Sequence, residues 1–111
     1  MQKRYRLSGR RTFNYIYRKG TSVSNGQLVL FYTPSKYSLR VGVVVSKKVG
    51  KAVVRNKARR RIKEAFRSMI ADVVDKHNII IVAKSCVATM SYQEIKISLE
   101  KLLKKAKLTN N

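Results

Sequence analysis

The stretch KAVVRNKARRRIKEAFRSMI, residues 51–70, determines how the rest of this chain can fold. It predicts a long helix, because strong helix formers dominate it and neither Pro nor Gly interrupts it. At a helical step of 100° per residue, one arc of roughly 120° collects only apolar side chains, so this arc is expected to be buried. The predicted buried residues are Val54, Ala58, Ile62, Ala65, Phe66 and Met69.

The opposite face of this helix is cationic. Residues 51–67 contain eight Lys or Arg and a single acid, Glu64. A solvated surface is the ordinary explanation for a charged helix face, but such a face usually alternates Glu with Lys at four-residue spacing. Unpaired cations at this density repel one another, which favours a polyanionic partner. The cationic face consists of Asn56, Arg59, Arg60, Lys63 and Arg67, with Arg55 and Arg61 at its borders.

The net charge of +21 is unevenly distributed over the 111 residues. Residues 1–63 contain 18 Lys or Arg and no Asp or Glu, whereas residues 64–111 contain 8 Lys or Arg and 5 Asp or Glu. This asymmetry indicates nucleic acid as the partner. A membrane surface is the competing polyanion, but the sequence shows no long apolar run, signal peptide or lipidation motif, so no membrane association is expected.

Residues suited to catalysis or metal binding are sparse. Cys86 and His77 are each the only residue of their type, so neither an intrachain disulfide nor a Cys-x-x-Cys motif can form. The five carboxylates have no spacing typical of a catalytic triad or a metal site. We therefore expect no catalytic residue in this chain, no metal held by the protein alone, and a reducing cytoplasm as its location.

The first half of the chain predicts a basic arm, a short helix and three strands. The arm covers residues 1–7, and Ser8 is the expected N-cap of a helix that ends at Gly20. β-rich runs at residues 21–24, 28–33 and 39–46 predict strands, the first two joined by an Asn25-Gly26 turn.

The second half adds one strand and one helix to the basic helix. The run IIIVA predicts a buried strand at residues 78–84, followed by a loop at 85–90. Ser91 and Glu94 fit a capping box that opens a helix to about residue 106, and a frayed tail is expected at 107–111. The chain is thus predicted to be one α+β domain over residues 1–111, a two-layer structure with three helices packed on a small mixed sheet of about four strands.

The first helix carries Phe13, Ile16 and Tyr17 at helical spacing. Core packing is the usual role of such a set. An alternative is that the rings stack on the bases of single-stranded nucleic acid, since four basic residues surround them. Sequence composition leaves both roles open. The surrounding basic residues are Arg10, Arg11, Arg18 and Lys19.

The segment GKAVVRNKARRRIKEAF, preceded by VSKKVG, resembles the arginine-rich signature of the bacterial ribonuclease P protein family. The segments TFNYIYRKG, LVLFY, LRVGVVVSKKVG, IIIVAK and SYQE also occur in the order and spacing of that family. The resemblance therefore covers essentially the whole chain except its termini.

The resemblance implies a protein that assists a ribozyme. In this family an RNA subunit removes the 5′ leader of precursor tRNA with a bound divalent metal, expected to be magnesium, while the small protein binds both RNAs and needs no other protein. The resemblance also implies a left-handed crossover of the basic helix between two parallel strands, where general chirality predicts a right-handed one.

Two sets of site residues follow from the resemblance and the charge pattern. Asn56 is expected near an ion that the RNA holds. The leader would lie in a cleft formed by Phe13, Tyr17, Phe31, Val44 and Lys84. The residues expected to bind RNA are Lys47, Lys48, Lys51, Arg55, Asn56, Arg59, Arg60, Lys63 and Arg67.

Two other functions are compatible with parts of the sequence. A ribosomal or general RNA-binding protein would share the positive charge but would have no processing role. A protein-only nuclease would need clustered carboxylates or histidines to hold metal, and the first 63 residues contain no carboxylate.

Overall fold

The computed structural model describes residues 3–110, which form three α-helices and four strands. Short 3₁₀ turns occur at Lys3–Tyr5, Lys47–Val49, Ile70–Asp72 and Ser85–Thr89. In chain order the main elements are α1 (Arg10–Lys19), β1 (Thr21–Ser24), β2 (Leu28–Pro34), β3 (Arg40–Val45), α2 (Ala52–Met69), β4 (His77–Ala83) and α3 (Tyr92–Lys105).

The four strands form one mixed sheet in the order β1-β2-β4-β3. β1 and β2 form an antiparallel hairpin, and β2 pairs antiparallel with β4. β3 and β4 are parallel neighbours, so the chain between them, which contains α2, is a crossover connection. Its left-handed sense stays a prediction of the family resemblance.

The apolar stripe of α2 lies in the main core, as its periodicity predicted. Five of the six predicted residues are buried, and Val54, in the first turn, is half-buried. They pack with the apolar stripe of α3 and with alternate residues of the sheet, such as Leu30 and Ile81. The predicted α3 stripe is buried in full: Ile95, Leu99, Leu102 and Leu103.

Helices cover both faces of the sheet, which corrects the predicted count of two layers. α2 and α3 pack on the face that carries Leu30 and Ile81, whereas Ile16 of α1 packs on the opposite face against Ile80. The central strand β4 has buried side chains on both faces, such as Ile80 on one and Ile81 on the other. Each face of the sheet can therefore hold its own helix layer. The predicted α+β class, single domain and mixed four-stranded sheet with three helices are confirmed.

The start of α1 differs from the prediction. Its N-cap is Gly9, with φ 96°, rather than Ser8, and no side chain caps the helix. Gly20 ends the helix as predicted, and its backbone there is extended, with φ −75° and ψ 164°. A Cβ at Gly20 would lie 2.5 Å from the Ile16 carbonyl oxygen and 2.9 Å from that of Tyr32, so close packing explains this glycine.

The ends of the described chain are docked on the domain. Arg6 forms a parallel bridge with Val41, and Leu7 is buried, so the described part of the predicted basic arm runs along β3. The frayed tail predicted at 107–111 is corrected for residues 107–110, because Leu108 is buried and Thr109 forms an antiparallel bridge with Val73. Residues 1, 2 and 111 of these predicted segments lie outside the described residues.

The remaining local predictions hold with small shifts. The capping box of α3 is present, since the Ser91 hydroxyl accepts from the Glu94 amide and the Glu94 carboxylate accepts from the Ser91 amide. Residues 85–90, predicted as a loop, contain the 3₁₀ turn Ser85–Thr89. The Asn25 side chain organises the β1–β2 turn by accepting from the amides of Gln27 and Leu28.

Candidate nucleic-acid interface

Three aromatic rings from α1 and β2 meet on the sheet face that carries α1. The Tyr17 and Phe31 ring centroids are 4.9 Å apart with planes at 82°, an edge-to-face contact, and Phe13 follows at 6.5 Å from Tyr17. Tyr17 is 39 % exposed, while Phe13 and Phe31 are half-buried. Phe13 and Phe31 therefore pack against the buried Ile16 and Ile80, and Tyr17 packs on Phe31. All three rings are still reachable from solvent.

Gly42 lets Phe13 lie directly on the sheet. A Cβ at Gly42 would be 2.6 Å from Cζ and 2.9 Å from Cε1 of the Phe13 ring, which is closer than carbon atoms pack. The Gly42 backbone lies outside the left-handed region, so the ring rather than the φ angle requires a glycine here. The absent side chain thus determines how deep the Phe13 ring sits.

Beside the rings, the sheet exposes a row of three valines. The registers place Val29 of β2 opposite Val82 of β4, and Val82 opposite Val44 of β3. All three are half-buried, although they lie next to the fully buried Ile80 row. We call the rings and this row the aromatic cleft: Phe13, Tyr17 and Phe31 with a floor of Val29, Val44 and Val82.

Partial burial favours the protonated form of the Tyr17 hydroxyl in the cleft. Desolvation raises the pKa of the Tyr17 hydroxyl above its usual value. The phenol therefore remains neutral at physiological pH and keeps its O–H as a hydrogen-bond donor beside the rings.

Basic residues collect at the end of the cleft floor. β3 and β4 run parallel, so their carboxyl ends share one edge of the sheet, and the chain leaves this edge through Lys47, Lys48 and Lys84. Lys51 precedes α2, and its carbonyl accepts from the Arg55 amide at 2.9 Å. We call this set the cationic edge: Lys47, Lys48, Lys51, Arg55 and Lys84.

Two members of the cationic edge have specific environments. The Lys84 ammonium donates to the Asn25 carbonyl at 3.0 Å, which fixes it over the β1–β2 turn. Arg55 is half-buried, and its Nε has no hydrogen-bond partner within residues 3–110. The other three, Lys47, Lys48 and Lys51, are exposed.

The cationic face of α2 continues from this edge along the helix. Arg59 donates to the Asn56 side-chain oxygen at 2.9 Å, and Arg67 lies 3.8 Å from the Glu64 carboxylate. That pair is exposed, and no other ion pair of the described chain involves α2. Asn56, Arg59, Arg60, Lys63 and Glu64 line a shallow depression of about 330 Å³.

The aromatic cleft thus ends at the cationic edge, and the cationic face of α2 begins at the same edge. A model of the family described as Ribonuclease P matches residues 1–107 of the chain. The chain belongs to this family.

Individual relatives agree with this assignment. The ribonuclease P protein component of Staphylococcus carnosus is 42% identical over 112 residues, which cover 99% of this chain and 96% of that protein. That of a Geobacillus species is 40% identical and covers 96% of this chain and 93% of that protein. The structure of the Staphylococcus aureus RNase P protein, 39% identical, superposes with a TM-score of 0.88 and covers 96% of this chain and 98% of that one.

The ribonuclease P resemblance therefore correctly assigned the family, and the structure shows where its site residues lie. Phe13, Tyr17, Phe31 and Val44 come together in the aromatic cleft, and Lys84 lies at its end on the cationic edge. Sequence reasoning missed Val29 and Val82. The signal for both was the two-residue alternation of a strand, since Val29 lies two positions before Phe31, and Val82 lies two positions before Lys84 in the strand predicted at 78–84.

Arg61 has a structural role in this ribonuclease P protein. Its guanidinium donates to the Met90 carbonyl at 2.9 Å, which ties α2 to the residues that precede α3. Its half-buried side chain therefore points away from the cationic face, whereas the neighbouring Arg60 is exposed.

Metal ligands are dispersed over the described chain. No group of three or more His, Cys, Asp or Glu that could hold a metal ion forms within residues 3–110. Among the helices of the same residues, none is long and apolar enough to cross a membrane.

Proposed function

We propose that this protein is the RNA-binding subunit of ribonuclease P, which helps a catalytic RNA to remove the 5′ leader from precursor tRNA. The observation that carries the proposal is the position of the aromatic cleft directly beside the cationic edge. Family membership supports the same function.

In this proposal the leader lies in the aromatic cleft. Single-stranded RNA is typically bound by rings on which unpaired bases stack and by cations that contact the phosphates. Phe13, Tyr17 and Phe31 provide the rings, and the half-buried valine floor provides an apolar surface below them. Lys84 and the lysines of the cationic edge lie where the backbone of a strand leaving the cleft would pass.

The cationic face of α2 binds the catalytic RNA in this proposal. Exposed cations without carboxylate partners are available for phosphates, and Arg60 is such a residue among those described. Arg67 is less available because Glu64 lies 3.8 Å away. Asn56, whose side-chain oxygen accepts from Arg59, lies at the helix start, near the expected position of an ion held by RNA.

Cleavage itself is assigned to the RNA subunit. The donor atoms of the described chain do not suit a divalent metal site, because the carboxylates are dispersed and two of them are engaged by backbone amides. Magnesium is therefore proposed to be held mainly by the RNA, with no other protein required. The complex would act in the cytoplasm, where the exposed Cys86 thiol stays reduced.

The test is to incubate labelled precursor tRNA with the protein, with the cognate RNA subunit, and with both together. We expect the free leader only where the RNA is present, and tighter binding of precursor than of mature tRNA by the complete enzyme. Phe31→Ala should reduce this preference, with Val53→Ala, an exposed apolar residue outside the cleft, as the matched control.

Two results would contradict the proposal. Release of the leader by the purified protein alone would indicate a protein-only nuclease. Equal affinity for precursor and mature tRNA, unchanged by Phe31→Ala, would indicate a general RNA-binding protein.

A further inference from the structure

α1 separates two grooves on its face of the sheet, and only one of them is the aromatic cleft. Ile16 points into the core. Because helix positions advance by 100° per residue, Phe13 and Tyr17 lie on one side of Ile16, while Thr12 and Tyr15 lie on the other. The second side therefore has its own tyrosine, which the proposed function does not use.

The second groove is a defined cavity of about 310 Å³. Three neighbouring strands form its floor, since the registers place Thr33 opposite Asn78 and Asn78 opposite Arg40. Tyr15 from α1 and Tyr37 from the segment after β2 stand at its sides. We call this cavity the tyrosine groove: Thr12, Tyr15, Lys36, Tyr37, Arg40 and Asn78.

Both tyrosines of the groove present large apolar surfaces to solvent. Tyr15 is 53 % exposed and Tyr37 is 61 % exposed. The Tyr37 amide donates to the Ser35 hydroxyl at 3.1 Å, and the Ser35 amide donates to the Lys76 carbonyl at 2.8 Å, so the segment that carries the ring is held in place. An exposed ring on a fixed backbone segment offers a stacking surface to a base.

The charge of the groove complements an anion. Its lining contains the cations Lys36 and Arg40 and no carboxylate. The Lys36 ammonium is 5.6 Å from the Tyr37 ring centroid, so a cation and a stacking surface are adjacent. The volume is at the lower end of the range for small-molecule sites, which suits one nucleotide rather than a longer segment.

We infer that the tyrosine groove is a second nucleotide site, which binds one unpaired nucleotide of RNA on the opposite side of α1 from the aromatic cleft. The base stacks on Tyr15 or Tyr37, its polar edge faces the Asn78 amide, and its phosphate contacts Lys36 or Arg40. Val29 and Thr33 are four residues apart on β2, so the floors of the two sites are about 13 Å apart. The sites are therefore distinct and can be tested separately.

The experiment is an NMR titration of the ¹⁵N-labelled full chain with adenosine 5′-monophosphate and, separately, with inorganic phosphate. We expect the nucleotide to shift the amides of Lys36, Tyr37, Arg40 and Asn78, with a higher affinity than phosphate. Tyr37→Ala should weaken the nucleotide affinity at these amides by about 5- to 150-fold. Tyr17→Ala, the matched tyrosine of the aromatic cleft, should leave that affinity unchanged.

A second readout separates this site from the proposed function. Tyr17→Ala, whose ring lies in the aromatic cleft, should reduce the preference of the complete enzyme for precursor tRNA, while the nucleotide affinity of the tyrosine groove stays unchanged. Equal affinity for phosphate and nucleotide would overturn the inference, since the groove would then be a plain anion site. Unchanged nucleotide affinity in both tyrosine variants would overturn it too, whatever the outcome of the cleavage assay.

Discussion

Substituting Gly42 by Ala should disturb the leader site through a single contact. The new methyl group would lie 2.6 Å from Cζ of Phe13, whereas carbon atoms in contact are about 3.5–4.0 Å apart. The ring must therefore move by roughly 1 Å away from the sheet. Overpacking of this kind costs about 1–3 kcal/mol of stability, which a folded domain of this size usually tolerates.

The functional cost should appear in leader binding. If the displaced Phe13 ring no longer stacks on a base, the affinity of the complete enzyme for precursor tRNA should fall by up to the value of one stack, about 1–3 kcal/mol. Affinity for mature tRNA should hardly change, because it has no leader. Fluorescence binding measurements with both tRNAs would give the difference directly.

Two controls make the Gly42 result specific. Gly26→Ala adds the same methyl group where no atom lies within 4 Å, so it should have no effect. In a Phe13→Ala background, Gly42→Ala should cause almost no further loss of affinity for precursor tRNA, because the ring that the new methyl group would contact has been removed. The role of the Phe13 contact would be refuted if the affinity losses of the two substitutions added in full, or if precursor and mature tRNA lost affinity equally.

Three further substitutions test other parts of the structure. Arg60→Glu should weaken binding of the catalytic RNA and reduce the slope of log affinity against log salt by roughly 0.7–0.9. The free energy of unfolding in urea should change by less than about 0.5 kcal/mol. Lys101→Glu on α3 is the matched charge control, and an unfolded Arg60 variant would show a structural role instead. Thr33→Val should keep or raise the free energy of unfolding by about 1 kcal/mol, because the buried Thr33 hydroxyl has no partner within residues 3–110; a clear loss of stability would contradict this. Asp75→Asn should flatten the fall of the melting temperature on acidification.

Two backbone hydrogen bonds stabilise the ionised carboxylate of Asp75. The Leu39 and Lys76 amides each donate to the Asp75 carboxylate at 2.8 Å, and they lower its pKa from the ordinary 3.8. Because the folded pKa is lower than the unfolded one, this contribution is present above about pH 4 and is lost as the pH falls through the folded value. Melting curves of both proteins between about pH 2 and 6 would check this, and parallel curves would contradict it.

Sequence patterns predicted the parts of the fold that depend on interactions between residues close together in the chain. The stripe of α2 follows from helical periodicity, and the α3 start follows from a capping box that needs only Ser91 and Glu94. The predicted strands shifted by at most one residue at either end, because their β-rich runs are bounded by turn residues.

The features that sequence did not predict depend on contacts between distant segments. Ser8 is a reasonable N-cap by composition, but the chain before α1 pairs with β3, and Gly9 makes the turn that this path requires. The tail around Leu108 looks polar, yet it docks against Val73. The valine floor and the tyrosine groove likewise depend on which sheet face α1 covers, and a single strand pattern does not encode that choice.

The contact between Lys84 and the β1–β2 turn affects the entropy of RNA binding. A free lysine side chain loses about 1.5–2 kcal/mol of rotamer freedom when it is fixed on a ligand. The Lys84 ammonium is already held by the Asn25 carbonyl, and Asn25 is itself anchored to the Ser98 hydroxyl of α3 at 2.9 Å. Part of the entropy cost of ordering the Lys84 side chain has thus been met during folding, and its ammonium still has two N–H donors. Lys84 can therefore bind a phosphate at a smaller entropic penalty than the untethered lysines around it.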